Sequence, residues 1–406
     1  MVAAQGVATA ASPLTIEQCV DLALDRAPAV SGAAADSAAA AARIRAARAA
    51  YWPRFFGQAQ YGHSEGYDKA ITNGGVTALG VGVEAPLLDG GQRSAELAGA
   101  RARMRSATAL EQQRRADVAF AVRSAYHTAL AARSASEIHA DTAQRLEKYV
   151  ALLERQEALG AVPVTDRPRA LLEVETTRSA ERAAVAALTA SARELSAIVG
   201  MEVAPDALVA PPPQPFVPAG EAQIDASPIV ADARAAADAA RRDADVVRSE
   251  GRSHLILTAD GGFLGVNPRP TFSDHGGGQF LFGFTLPLYD GGALDARVAA
   301  AVAAIASAEA NVQLVRQSLV VSLVHAQADS ERAEADAAAW SKSLPGAAEA
   351  FLLLRARYFG GGGAKLLEVL DALNQSVDTR VAFVRALQDA GLAKATQAQL
   401  LGQSTP

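Results

Sequence analysis

Cysteine is nearly absent. Cys19 stands alone in 406 residues, which excludes an internal disulfide and a cysteine-rich metal site. It lies in Thr15-Ile16-Glu17-Gln18-Cys19-Val20, which reads as a capping box opening a short amphipathic helix, so a buried packing role is expected. Aromatic residues are scarce at 5%, although half of the chain is hydrophobic in type. Much of that half is alanine, which favours helices but buries little surface per residue. Thin helical packing with close backbones follows, rather than a thick globular core. An excess of basic charge is also lacking. Lys and Arg number 38 against 44 Asp and Glu, for a net charge of −6, so no basic face suited to nucleic acid is expected.

Uninterrupted apolar runs of spanning length are missing too, which argues against a membrane-crossing helix. A membrane β-barrel stays open, because its strands carry only weak alternating signals about 10 residues long. The first residues lack the basic and apolar regions of a secretory leader. Ala8-Thr9-Ala10 nonetheless resembles a small-residue cleavage site, and the expectation is a leader removed or left out. Catalytic patterns are wanting as well. The six histidines are scattered without ligand spacing, and there is no phosphate loop or nucleophile elbow. No enzyme, cofactor or resident metal is expected.

What the chain does contain is said twice. Pro86-Leu87-Leu88-Asp89-Gly90-Gly91 returns as Pro287-Leu288-Tyr289-Asp290-Gly291-Gly292, roughly half a chain later. Each copy sits in the same order of events: a Pro-opened helix, an alternating stretch, a polar loop, a second alternating stretch, a very long alanine-rich helix, a glycine tip and a return helix. A repeat this long is a duplicated half, not a solenoid of roughly 20–50 residues per unit. The first repeat is placed at 1–204 and the second at 221–406. A Pro-rich linker over 205–220, with Pro205, Pro211, Pro212, Pro213, Pro215 and Pro218, reads as a non-helical, extended crossing strap.

Helices are expected over 14–26, from Pro28 to about Tyr51, and from Pro228 to about Glu250. The strand pairs follow at 53–63 with 77–87, and at 254–264 with 279–287. One face collects Phe55, Tyr61, Leu79, Val81, Val83, Leu255, Leu257, Phe263, Phe280, Phe282 and Phe284; the other collects Arg54, Gln58, Gln60, Glu84, Thr258, Asp260 and Gln279. An apolar outside and a small or polar inside suit a barrel in lipid, and the same alternation suits an ordinary half-buried sheet. The connecting loops, Ser64 to Gly75 and Asn267 to Gly278, are polar and rich in Gly or Pro.

Long helices are expected from about Arg93 to Leu159 and from about Leu294 to Phe359, each ~100 Å long at 1.5 Å per residue. The second carries Leu294, Val298, Val302, Ile305, Val312, Val315, Leu319 and Leu323 at coiled-coil spacing. Pro345 should kink it locally. Return helices are expected from near Thr165 to Val199, delayed by Pro168, and from Leu366 onward.

This ordered set resembles the TolC-like outer-membrane efflux protein family (outer-membrane factors). The resemblance rests on the twofold repeat, the paired Pro-Leu-x-Asp-Gly-Gly strand ends, the paired glycine tips and Leu367-Glu368-Val369-Leu370-Asp371-Ala372, and spans Leu14 to Gly402. It implies a mixed α and β membrane protein, a homotrimer in which each chain gives four β-strands to a shared outer-membrane β-barrel. The long coiled-coil helices would form a periplasmic α-barrel, with the Pro-rich linker in an equatorial belt. Elementary physics agrees that four strands cannot close a barrel or remove their edges, whereas three chains can.

The site residues follow from the same resemblance. Glu368 and Asp371 are three residues apart, hence on one helical face, and acidic residues there line the family's periplasmic constriction. On pattern alone they are equally solvated acids at a helix start, where the dipole favours them. Gly160 and Gly362 match the tip glycines that meet a periplasmic adaptor, although any tight helix reversal wants glycine. Pro86, Asp89, Gly90, Pro287, Asp290 and Gly291 mark the strand–helix junctions. The chain departs from the family in its four glycines at 360–363, which loosen the second tip. It departs again in Ala364, where some members place a basic gate residue, with Lys365 turned ~100° away.

The expected function is a trimeric exit duct of a tripartite efflux pump or type I secretion system in a Gram-negative outer membrane. A periplasmic adaptor would gate it, an inner-membrane transporter would drive it indirectly, and lipid would surround the strands. A periplasmic adaptor or a soluble coiled-coil scaffold is the alternative. An adaptor carries one hairpin rather than two, and a scaffold has no use for the phenylalanine alternation over 280–286.

Overall fold

A computed structural model describes residues 13–63, 75–212, 215–266, 276–360 and 363–404. Thr15 opens α1 (Ile16–Arg26). Its hydroxyl accepts from the Gln18 N–H, and the Gln18 side chain accepts from the Thr15 N–H at 2.9 Å. Both orphan donors of the helix start are thereby satisfied. Pro28 begins α2 (Pro28–Ala49), where a missing N–H costs nothing. Then come β1 (Arg54–His63), β2 (Gly75–Asp89), α3 (Gln92–Ala158) and α4 (Asp166–Val199). The second half repeats the order with α5 (Glu221–Ala226), α6 (Pro228–Ser249), β3 (His254–Val266), β4 (Gly276–Thr285), α7 (Ala293–Phe359) and α8 (Leu366–Leu400).

Four sequence expectations need correction. Pro168 does not delay α4, which starts at Asp166. Proline falls in the first turn, where backbone N–H groups have no helical acceptor anyway. The linker is not wholly extended, since Pro205–Ala207 forms one 3-10 turn. β4 stops at Thr285 and does not reach Pro287, whereas β2 runs on to Asp89. The tail of β2 is held by β3 across a bulge between Pro86 and Leu88, but among the described residues the corresponding tail of β4 has no strand on its outer side. Finally, α7 is long and apolar enough to cross a membrane by length and mean hydropathy, and its most apolar stretch is not buried in the chain. Alanine raises the mean there without an unbroken apolar run.

The chain divides into two compact units, and each draws on both halves of the sequence. One comprises Met1–Ala34, Leu110–Ile229 and Arg316–Pro406. Within it, Leu14, Cys19, Val20, Val122, Tyr126, Leu195, Val199 and Leu208 form a buried cluster. Burial, aided by the charge of Glu17, pushes the Cys19 thiol up to about 11. The Tyr126 hydroxyl accepts from the Val209 N–H at 2.9 Å and donates among the Leu14 and Val209 carbonyls, each 2.8 Å away. Arg133 donates to the carbonyls of Pro205 and Leu208, and Gln397 donates to that of Val217. These bonds tie down a linker that has few backbone partners of its own.

The other unit comprises Ala35–Ala109 and Val230–Val315. Its helical part is laced by Arg103 with Asp243, Arg105 with Asp238, and Arg241 with Glu309. These pairs are half exposed, so they chiefly set register. Its sheet is an antiparallel meander in the order β1-β2-β3-β4. Register puts Phe55 opposite Val83, Val83 opposite Ala259, and Ala259 opposite Phe280. Period two therefore gathers the apolar set onto one face, as the alternation predicts. That face is bare in the chain: Phe55 is 83% exposed and Phe280 81%.

Candidate functional site

The repeated Asp-Gly-Gly has a local explanation. At the first junction Asp89 accepts from the Gly91 N–H at 3.1 Å and from the Arg93 N–H at 2.8 Å. At the second, Asp290 accepts from the Gly292 N–H at 3.0 Å and from the Leu294 N–H at 2.6 Å. Each carboxylate caps the start of a 67-residue helix and favours its positive dipole end. The glycines turn the chain into that cap. Gly90 and Gly91 have φ of 63° and 95°, and Gly291 and Gly292 have 74° and 84°, values that disfavour any side chain. At Gly90 a Cβ would also lie 2.9 Å from the Ser249 carbonyl. The junction residues thus make abrupt strand-to-helix corners, identical in logic in both repeats.

The far ends of the hairpins lie in the first unit. There Leu146, Leu153, Ala170, Val174, Leu366, Val369, Leu370 and Leu373 form a second buried cluster, flanked by Phe351 and Leu354. α8 turns these apolar residues inward. Its exposed side carries Leu367, Glu368 and Asp371. The two acids therefore share an open face, as their spacing predicts. Glu368 has a local task as well, because its carboxylate accepts from the Lys365 N–H at 3.2 Å and so caps α8. Gly160 has φ of 67° and open space around it. Its left-handed conformation ends α3, with the Ala161 N–H reaching back to the Gln156 carbonyl at 2.9 Å. Gly362 lies outside the described residues, as do Gly361, Pro213, residues 1–12 and most of both strand-connecting loops.

Sequence reasoning missed the link between the two hairpins. The Tyr358 hydroxyl, at the end of α7, donates to Asp166 at the start of α4 over 2.6 Å. Asp166 is only 7% exposed. Burial pushes the Tyr358 phenol well above its usual range, and its bond to Asp166 adds to that. Nearby, Tyr149 packs edge-on against Phe359 at 5.1 Å between ring centres. Its buried hydroxyl has no hydrogen-bond partner. The two residues of the link stand 192 positions apart, and no local pattern marks Tyr358. Among the described residues no group of His, Cys, Asp and Glu could hold a metal ion.

The second face of the sheet is mixed rather than uniformly polar. Arg54, Gln58, Gln60, Glu84, Thr258, Asp260 and Gln279 lie there, but so do Phe56, Ile256 and Leu281 by the same register. Arg54 stands opposite Glu84. Asp260 stands opposite Gln279, whose amide donates to it at 3.1 Å.

The profile described as "Outer membrane efflux protein" matches this chain twice, over residues 19–201 and 222–403. The chain belongs to the outer membrane efflux protein family. The two matches fall one on each half, consistent with the duplicated junctions. No curated protein matches the chain. Solved structures share the fold almost end to end. A membrane protein from Pseudomonas aeruginosa is 22% identical with a TM-score of 0.85, covering 95% of this chain and 93% of that one. The outer membrane protein VceC from Vibrio cholerae is 20% identical with a TM-score of 0.82, covering 95% and 96%. The Campylobacter jejuni CmeC outer membrane channel is 15% identical with a TM-score of 0.84, covering 96% and 86%. As an outer membrane efflux protein this chain is a transport duct rather than an enzyme, and its fold is that of solved outer-membrane proteins.

Proposed function

We propose that three copies of this efflux protein build one channel, the exit duct of a tripartite efflux pump or type I secretion system. The observation that carries this reading is the sheet. It has four strands, with both outer edges unpaired among the described residues, and an apolar face open along its length. Unpaired backbone groups cannot be left in hydrocarbon, so the sheet needs closure. In a four-stranded meander β4 runs opposite to β1, so β4 of one copy fits antiparallel beside β1 of the next. Three copies supply twelve strands and abolish every edge. The uncovered apolar window of α7 fits the same assembly, as a helix surface awaiting neighbouring chains.

Each copy then comprises a first repeat over 1–204, an equatorial linker over 205–220 and a second repeat over 221–406. Around a threefold axis, Glu368 and Asp371 would place six carboxylates at the periplasmic constriction. Like charges so close favour cations. A periplasmic adaptor meets the tips at Gly160 and Gly362. The hydrogen bond between Tyr358 and Asp166 is the latch that it releases when the second hairpin shifts against the first. An inner-membrane transporter supplies the energy without touching the duct.

The decisive experiment is the protein mass of the detergent-extracted particle, by light scattering with detergent subtracted. The expected value is near three times 41.8 kDa. A monomer that dissolves in plain buffer would rule out the shared barrel. In planar bilayers, Glu368→Ala with Asp371→Ala should lower cation preference and divalent block. Glu368→Gln keeps an acceptor for the helix cap and separates charge from capping. Unchanged selectivity in both would remove the acidic ring from the mechanism.

A further inference from the structure

The mixed face of the sheet holds a row that its alternation does not explain. Phe56 lies opposite Gly82, Gly82 opposite Asp260, and Asp260 opposite Gln279. The Phe56 ring does not stand out from the sheet as Phe55 does. It lies down over Gly82: a Cβ at that glycine would meet Phe56 Cζ at 2.5 Å and Asp260 Cβ at 3.1 Å. Only glycine leaves room for the ring there, and the ring is thereby laid beside the carboxylate. Leu281, opposite Thr258 one step along β4, adds an exposed apolar side chain on the same face.

Charge on this face is uneven. Among its described side chains the charged groups away from the strand–helix junction are Arg54, Glu84 and Asp260; at the junction Asp89 stands opposite His254 and is paired with Arg93. Arg54 and Glu84 face each other across the strands and offset one another. Asp260 faces a neutral amide, which donates to it at 3.1 and 3.3 Å. That bond orients the carboxylate and leaves its negative charge uncompensated along the row. On one side the neighbouring row is Gln58, Gly80, Gly262 and Gly277, so small residues flank Asp260 there.

We propose that Phe56, Asp260 and Gln279 form a belt on the inner wall of the barrel that binds organic cations carrying an aromatic or alkyl body. The proposal rests on the shared-barrel reading, which turns one row into a ring of three carboxylates and three aromatic faces. Recognition is twofold. The carboxylate attracts the charge, in a bore that focuses the field. The aromatic face attracts the same charge through its quadrupole and covers the apolar body. An anion of equal size gains neither. The belt lies on the strands, far along the sequence from the acids of α8, and so gives the duct a second selection step.

The test uses the full-length protein in planar bilayers, with benzyltriethylammonium as probe and p-toluenesulfonate as the anion of similar size, added on the barrel side. The cation should block potassium current and the anion should not. Asp260→Asn should weaken block roughly tenfold and lower the potassium-to-chloride permeability ratio. Asp260→Glu should restore both. Phe56→Leu should weaken block several-fold and leave the permeability ratio unchanged, a split that general damage to the barrel would not produce. Block and ratio at wild-type levels in Asp260→Asn and Phe56→Leu would overturn the belt, as would equal block by the anion. A monomeric wild-type particle by light scattering would overturn the shared barrel itself, and the belt with it. The two failures are told apart because only the second appears before any substitution.

Discussion

Replacing Tyr358 by Phe removes one oxygen and tests the tie between the two hairpins. The Tyr358 hydroxyl lies 2.6 Å from Asp166, and Asp166 is 7% exposed, so water is poorly placed to replace it. A hydrogen bond to a charged acceptor contributes about 1.5–3 kcal/mol, and a buried group left without its partner bears its desolvation cost. Each 1.4 kcal/mol is a factor of ten in an opening equilibrium, so local opening at the tip should become about 10- to 100-fold more frequent. The assay is amide hydrogen exchange on the detergent-solubilised protein, followed over residues 160–175 and 351–373. Tyr149 supplies the control. It is a buried tyrosine in the same cluster, but its hydroxyl has no partner, so Tyr149→Phe removes an unsatisfied polar group and should be neutral or slightly stabilising. Exchange at wild-type rates in Tyr358→Phe, or equal acceleration in both variants, would refute the latch.

Two further outcomes follow from packing and protonation. Burial, the largest cause, pushes the Tyr126 phenol up to about 12 from 10.0, despite an opposing bond from the Val209 N–H. Between those two values the folded chain keeps a proton that the unfolded chain loses, so stability should fall as pH rises, by about 1.4 kcal/mol per pH unit for this residue. Thermal midpoints should therefore decline from pH 10 to 11, less steeply in Tyr126→Phe, and a flat profile would contradict the assignment. At Gly262, a Cβ would collide with the Leu79 carbonyl and lie 2.5 Å from Gly80 Cα on the neighbouring strand. Backbone cannot rotate aside as a side chain can. Gly262→Ala should prevent β2 from pairing with β3, read as loss of heat-resistant assembly on gels; normal assembly would show that the strands can separate there.

Much of this fold was legible in advance because its signals are local. Alanine-rich runs of period 3.6 marked helices whose observed ends, Gln92–Ala158 and Ala293–Phe359, lie within a residue or so of expectation. Alternation placed Phe280, Phe282 and Phe284 on one face, and the register agrees. The paired Asp-Gly-Gly motifs were recognisable as junctions because capping needs a carboxylate and two left-handed residues in immediate succession. Where prediction failed, a neighbour distant in sequence was decisive. β2 extends to Asp89 because β3 lies beside it; β4, with the same Pro-Leu-x-Asp-Gly-Gly tail, ends at Thr285 because its outer side is empty.

Local chemistry alone specifies the elements, their twofold order and the residues that share each face of the sheet. These depend on backbone geometry and on residues within a few positions, which period and capping chemistry report directly. Packing of distant elements is what brings Tyr358 to Asp166 and lays Phe56 over Gly82 beside Asp260. Such contacts join residues on separate elements. They are chosen by how whole helices and strands pack, and packing leaves no mark in the local pattern of either partner.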